Sequence, residues 1–191
     1  MEKRLRITIG DLLDEVALRF PDREALIDIP RGRRYTYQEF LKIVNQLARG
    51  FLKLGITKGE HLALWTTNRS ESIITEFAAI KIGAVLVNVD ANAQTRQLEY
   101  LLRQSDSRSL IISEGIKGTE TIEMIRQLCP EADTSEPGQL NCTALPELRR
   151  LILISDGHHR GMMNWNGILE AGRDVPAGLL SERQSACHED D

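Results

Sequence analysis

Long apolar runs are missing from this sequence. The most apolar stretch, Gly83 to Val89, falls far short of the ~20 residues that a membrane helix needs. The basic start, Met1-Glu2-Lys3-Arg4-Leu5-Arg6, runs into Ile7-Thr8-Ile9-Gly10-Asp11 and not into the apolar core of a signal peptide. These absences predict a cytoplasmic chain without a transmembrane segment. They also make the N-x-S/T matches at Asn68 and Asn141 chance occurrences. Aromatic residues make up only 5% and the net charge is −4, so neither base-stacking platforms nor a basic patch is expected, and nucleic acid is excluded as a partner. Cysteine is scarce too. Cys129, Cys142 and Cys187 are odd in number and spaced for neither a disulfide framework nor a zinc site, so neither is expected.

Familiar catalytic motifs are also absent. No G-x-x-x-x-G-K-[ST] loop occurs; the nearest sequence, Gly115-Ile116-Lys117-Gly118-Thr119, lacks the glycine spacing of that phosphate cradle. No G-x-G-x-x-G follows a strand, which removes support for a dinucleotide site. G-x-S-x-G, H-E-x-x-H and C-x-x-C are missing as well.

What is present is the patterning of a folded α/β chain. The 191 residues, 41% hydrophobic and 27% charged, suffice for one domain that buries about 70% of its unfolded surface. Thr8 and Asp11 resemble a capping box, and Ile9, Leu12, Leu13, Val16 and Phe20 form one helical stripe closed by Pro21. Ala25 to Ile29 and Arg34 to Thr36 read as a hairpin around Pro30-Arg31-Gly32-Arg33. Thr36 and Glu39 have T-x-x-E spacing, and Phe40, Val44, Leu47, Ala48, Phe51 and Leu52 repeat as an amphipathic helix ended by Gly55.

Beyond Gly55, strands are predicted at His61 to Trp65, Ala84 to Val87, Ser109 to Ile112 and Arg150 to Ile154. Helices are predicted from Ser70 to Ile82, Thr95 to Ser105, Thr119 to Leu128 and Trp165 to Ala171. This alternation implies a mainly parallel sheet flanked by helices, with a small β-hairpin near the N-terminus. The continuously apolar Ala84-Val85-Leu86-Val87 reads as an interior strand. Residues 1–180 are taken as a single subdomain, 130–146 as an irregular excursion and 181–191 as a polar tail.

Few residues invite a chemical role. His158 and His159 are adjacent in a turn, so they point apart and are poor joint ligands. His61 starts an apolar strand and reads as structural. Cys187-His188-Glu189-Asp190-Asp191 lies in the tail, where nothing is pre-organised. Arg31, Arg33 and Arg34 could hold an anion, but a charged hairpin tip that protects a sheet edge explains them more simply. Asn68 lies in a strand-to-helix loop, where Asx hydrogen bonds would fix the turn and where ligands of open sheets sit.

Several stretches resemble the AMP-forming acyl-CoA synthetases of the adenylate-forming superfamily. Tyr35-Thr36-Tyr37-Gln38-Glu39-Phe40 is similar to the "TYxEL" helix start. Leu64 to Glu71 followed by Phe77 to Val89 resembles "xxxNxxE…KxGAxxVxxN", and Gln97 to Ser105 resembles the "ELxYxLxxS" helix. Pro146-Glu147-Leu148 and Met162-Met163-Asn164-Trp165 fit the same family. The chain departs from it at Ala91 and Ala93, where Pro and an aromatic are usual, and at Gln97, where Glu is usual.

The resemblance implies the N-terminal part of an enzyme that joins a carboxylic acid, a fatty acid above all, to ATP as an acyl-adenylate and then to CoA. ATP, magnesium and CoA would be bound by later parts of such an enzyme. The Ser/Thr/Gly-rich phosphate loop should follow His188-Glu189-Asp190-Asp191. No catalytic, cofactor-binding or metal-binding residue is therefore assigned, and the isolated chain is expected to be inactive. Its expected partners are the remainder of the synthetase or a second copy. The alternatives are a truncated, non-catalytic binding or assembly module and an unrelated nucleotide-binding α/β domain.

Overall fold

The computed structural model describes residues 7–114, 120–155 and 157–189. By contacts the chain divides into two units, residues 1–59, 73–84 and 169–191 in one and 60–72 and 85–168 in the other. Length and composition alone suggest one unit, because they carry no record of which distant segments meet.

The first unit is mainly helical. Thr8 caps α1 (Ile9–Arg19) by accepting from the Asp11 backbone N–H, as its spacing predicts. The buried face of α1 is Gly10, Leu13 and Ala17, whereas Ile9 is 54% and Leu12 45% exposed. The predicted stripe is thus rotated, because α1 approaches a neighbour through its small residues. A Cβ on Gly10 would lie 3.2 Å from Cγ of Lys81.

Strands β1 (Glu24–Asp28) and β2 (Arg33–Thr36) pair antiparallel, with Ile27 opposite Arg34. Thr36 then caps α2 (Tyr37–Lys53) in a complete capping box. The Glu39 N–H donates to Thr36 Oγ1 at 3.3 Å and the Thr36 N–H donates to Glu39 Oε2 at 2.8 Å. Phe40, Val44, Leu47, Ala48 and Phe51 form its buried face. Most of α3 (Ser70–Lys81) belongs to this unit.

The segment expected to be a polar tail starts inside a helix, α7 (Ala177–Ser185). Polarity misleads here because Gln184, half-buried, is used as a clamp. Its Nε2 donates to Asp11 Oδ1 at 2.6 Å and to Asp14 Oδ2 at 2.7 Å, and its Oε1 accepts from Lys81 Nζ at 3.0 Å.

The second unit is built on a five-stranded parallel sheet in the order β4-β3-β5-β6-β7. The strands are β3 (His61–Trp65), β4 (Val85–Val89), β5 (Ser109–Ser113), β6 (Arg150–Ile154) and β7 (Met163–Asn164). Helices α4 (Thr95–Gln104) and α5 (Thr121–Leu128) put Leu98, Leu102, Ile125 and Leu128 into one cluster with Ala63, Trp65, Leu110, Ile112, Leu151 and Leu153. The intervening Leu62, Leu64, Ile111 and Ile152 are buried too, so the central strands are covered on both faces. Helix α6 (Trp165–Ala171) follows β7.

Two expectations fail in this unit. Strand β4 is at the edge of the sheet, not in its interior, and Val85 is 43% exposed. An apolar run reports burial tendency, not place in a sheet. Cys129 and Cys142, read as unpaired, form a disulfide with Cα atoms 5.4 Å apart. Their separation of 13 residues says nothing of pairing until the excursion folds back, where the Leu140 N–H donates to Arg149 O.

Candidate functional site

Ligands of open parallel sheets bind outside the carboxyl ends of the strands, where consecutive connections leave in opposite directions. In this sheet that point lies between β3 and β5. The chain passes from β3 to β4 on one side, then returns to place β5 on the other. The loop after β3 carries Thr66, Thr67, Asn68 and Arg69, and β5 ends at Ser113.

The side chains of Thr66, Arg69, Glu71, Ser72 and Ser113 are committed within this rim. The Thr67 N–H donates to Ser113 Oγ at 3.4 Å, Thr66 Oγ1 and Ser72 Oγ are 2.6 Å apart, and Ser72 Oγ donates to Thr67 O at 3.2 Å. Arg69 forks onto Glu71 through Nε–Oε2 at 2.9 Å and Nη2–Oε1 at 3.1 Å. Both side chains of that pair are largely buried, at 13% and 7% exposure. Asn68 is exposed and takes no part in these bonds, so hydroxyl bridges and an ion pair fix the turn in place of the expected Asx bonds. Residues with spent donors do not fit a triphosphate, which needs free N–H groups and an unpaired cation.

A second group sits at the ends of β5 and β6. Glu114 accepts from Ser155 Oγ at 2.5 Å and pairs with His159 Nε2 at 2.6 Å, while the Gly157 N–H donates to Ser155 Oγ at 2.9 Å. Beside it is a cavity of about 320 Å³ lined by Glu114, Glu120, Glu123, Arg126 and His159. His158 is exposed, so the two histidines diverge as adjacent residues should. In a nucleophilic triad the imidazole stands between hydroxyl and acid. Here the carboxylate stands between them, which makes a lock on the turn and leaves the serine hydroxyl without an imidazole to take its proton. Asp156, which precedes these histidines in the sequence, lies outside the described residues, as do Lys117 and its neighbours.

A third concavity, about 510 Å³, opens beyond β4 between Asp90, Ala93, Arg96, Gln97 and Tyr100. The small side chains of Ala91 and Ala93 begin this margin. On the hairpin, Arg31 pairs with Asp28 at 3.3 Å and Arg34 pairs with Glu24. That pairing accounts for two of the three clustered arginines without an anion. His61 Nδ1 is bonded to Ser105 O, the structural use its position predicts.

Sequence reasoning also passed over a buried lysine in the first unit. Lys81 is 1% exposed, and its Nζ donates to Asp14 Oδ1 at 2.6 Å and Oδ2 at 2.7 Å. Burial pushes the Lys81 ammonium below the ordinary lysine value of 10.5, against the pull of Asp14. The Gln184 hydrogen bond holds Asp11 below 3.8. The signal available in the sequence was a lysine four residues beyond Phe77 on a helix that is otherwise apolar there.

With this geometry in hand, a family model described as "AMP-binding enzyme" matches residues 13–163. The chain belongs to the AMP-binding enzyme family. It is 39% identical over 190 residues to the Bacillus subtilis protein named "Putative acyl-CoA synthetase YngI", covering 100% of this chain and 35% of that one. It is 30% identical over 177 residues to the mitochondrial medium-chain acyl-CoA ligase ACSF2 of Danio rerio, covering 93% of this chain and 29% of that one.

Among solved structures of this kind, the anthranilate CoA ligase AuaEII with anthranoyl-AMP superposes with a TM-score of 0.73 at 22% identity, over 92% of this chain and 30% of that one. The N-terminal domain of FACL13 from Mycobacterium tuberculosis does so with 0.67 at 21%, over 90% and 37%. The chain therefore has the fold of the matched parts of these proteins. The chain spans about a third of the length of the curated relatives it matches, corresponding to their N-terminal part.

Proposed function

We propose that this chain is the N-terminal scaffold of an acyl-CoA ligase that acts on fatty or other carboxylic acids in the cytoplasm. The complete enzyme joins acid and ATP into an acyl-adenylate and passes the acyl group to CoA. The observation that carries this reading is the family match over residues 13–163, with relatives named as acyl-CoA ligases aligned along nearly the whole chain.

Adenylation requires donors placed around the phosphates and a cation to meet developing charge. The rim described above spends its donors internally: Arg69 on Glu71, and Thr66, Thr67, Ser72 and Ser113 on one another. Its part in the reaction is to fix where β3 and β5 end, and so to set the frame on which phosphate-binding elements stand. ATP, magnesium and CoA supply activation and transfer chemistry that no residue here is assigned to.

Pyrophosphate release is the measurement that tests this. The chain alone, given ATP, magnesium and medium- or long-chain fatty acids, stays at background, and the same acids are turned over when the remainder of a ligase is joined to it. Robust acid-dependent release by the chain alone overturns the scaffold reading.

A further inference from the structure

The excursion between α5 and β6 has little regular structure, yet its side chains are core. Ala132, Leu140, Cys142, Leu145 and Leu148 are buried in the cluster that holds Trp65 and Leu110. Three ties close it. The Cys129–Cys142 disulfide is the first. Glu131 Oε1 accepts from the Thr143 N–H at 3.1 Å and from Thr143 Oγ1 at 2.7 Å, and Arg126 pairs with Asp133 at 3.1 Å. The excursion also supports the sheet margin beyond β6. A Cβ on Gly161 would fall 1.7 Å from the carbonyl oxygen of Ala132, and one on Gly138 would fall 3.3 Å from the sulfur of Met163 in β7.

Of the three ties only the disulfide is covalent, and only it is broken by two electrons. We propose that Cys129 and Cys142 form a reversible redox latch, a modification site whose reduction frees the excursion and, with it, the β6–β7 margin that carries His159. A dithiol reductant attacks one sulfur as its thiolate and the other sulfur leaves. The second thiol of the reductant then resolves the mixed disulfide. The reductant ends as its own disulfide, and the protein gains two protons and keeps two thiols.

Both cysteines are 1% exposed, so attack waits on local opening of the excursion. After reduction the two thiols pack as small apolar groups, and the side-chain ties that remain are the exposed Arg126–Asp133 pair and the two bonds from Thr143 to Glu131. The latch does not depend on the ligase reading, and its test does not use ligase activity.

The full chain is equilibrated in buffers of graded glutathione to glutathione-disulfide ratio, alkylated, digested and examined by mass spectrometry. A cross-linked Cys129–Cys142 peptide, two hydrogens lighter than the dithiol pair, rises with the disulfide fraction, while Cys187 stays alkylated. Native-state cleavage by a glutamate-specific protease after the half-buried Glu131 quickens on reduction, on the order of 100-fold for a released loop of this length. In Cys142→Ala that cleavage is fast and indifferent to reductant. If this variant does not fold, the wild-type comparison decides alone. Equal alkylation of all three cysteines in every buffer overturns the proposal, as does a cross-link that leaves the cleavage rate unchanged.

Discussion

Gly161 and Gly178 show how differently one residue type is used in this chain. Gly161 has φ +68°, and a side chain there would collide with the Ala132 backbone, whereas Gly178 has nothing within 4 Å. Replacing Gly161 with alanine forces two backbone segments apart and is expected to cost about 2–4 kcal/mol. Gly178→Ala, inside α7, is expected to gain about 0.5–1 kcal/mol through reduced freedom of the unfolded chain. Urea melts of both variants check the opposite signs.

The Lys81–Asp14 pair is asymmetric in the same instructive way, since Lys81 is 1% and Asp14 40% exposed. Asp14→Ala strands a buried ammonium and is expected to cost about 3 kcal/mol, while Lys81→Met keeps the volume, leaves a solvated carboxylate and costs about 1 kcal/mol or less. The pH dependence follows from the lowered pKa of Lys81. Between that folded-state value and the ordinary 10.5, the unfolded chain binds more protons than the folded one, so this lysine makes stability rise with pH through that window. Lys81→Met removes the rise, and a series of urea midpoints from pH 7 to pH 10 (about the unperturbed lysine value) detects it.

At the scale of elements, local signals are read well and long-range ones are not. The Thr36–Glu39 capping box is a contract between residues three apart, and it forms as the spacing says. Thr36→Ala is expected to cost about 1 kcal/mol by circular-dichroism melting, with Glu39 losing the hydroxyl bond but keeping the backbone N–H bond that does most to hold its carboxyl below 4.5. Strands β3 and β6 and helix α6 fall at their predicted bounds because periodicity is written within each segment.

The edge position of β4, the rotated face of α1 and the Cys129–Cys142 link depend on partners far along the chain, and no window of sequence contains them. The same division holds at the rim. The loop at Asn68 is legible as a strand-to-helix turn, but Glu114 meets Ser155 and His159 across separations of 41 and 45 residues. Polarity misled once, at α7, because Gln184 satisfies charges that only the folded chain brings together.

At the scale of the whole molecule, the parallel sheet ends on one side with a strand that has no outer neighbour among the described residues. Strand β4 offers Val85, Leu86, Val87, Asn88 and Val89, without a charge, a proline or a bulge to discourage company. An edge of that kind is a template whose free N–H and C=O groups recruit any extended chain. Colloidal behaviour should follow from it: in concentrated solution the 191-residue chain is expected to self-associate by strand addition, giving light scattering that grows with concentration. Val87→Lys, which places a charge on the half-buried stretch of that strand, is expected to raise the concentration at which scattering begins. Handling this chain in the laboratory is then largely a matter of guarding five residues.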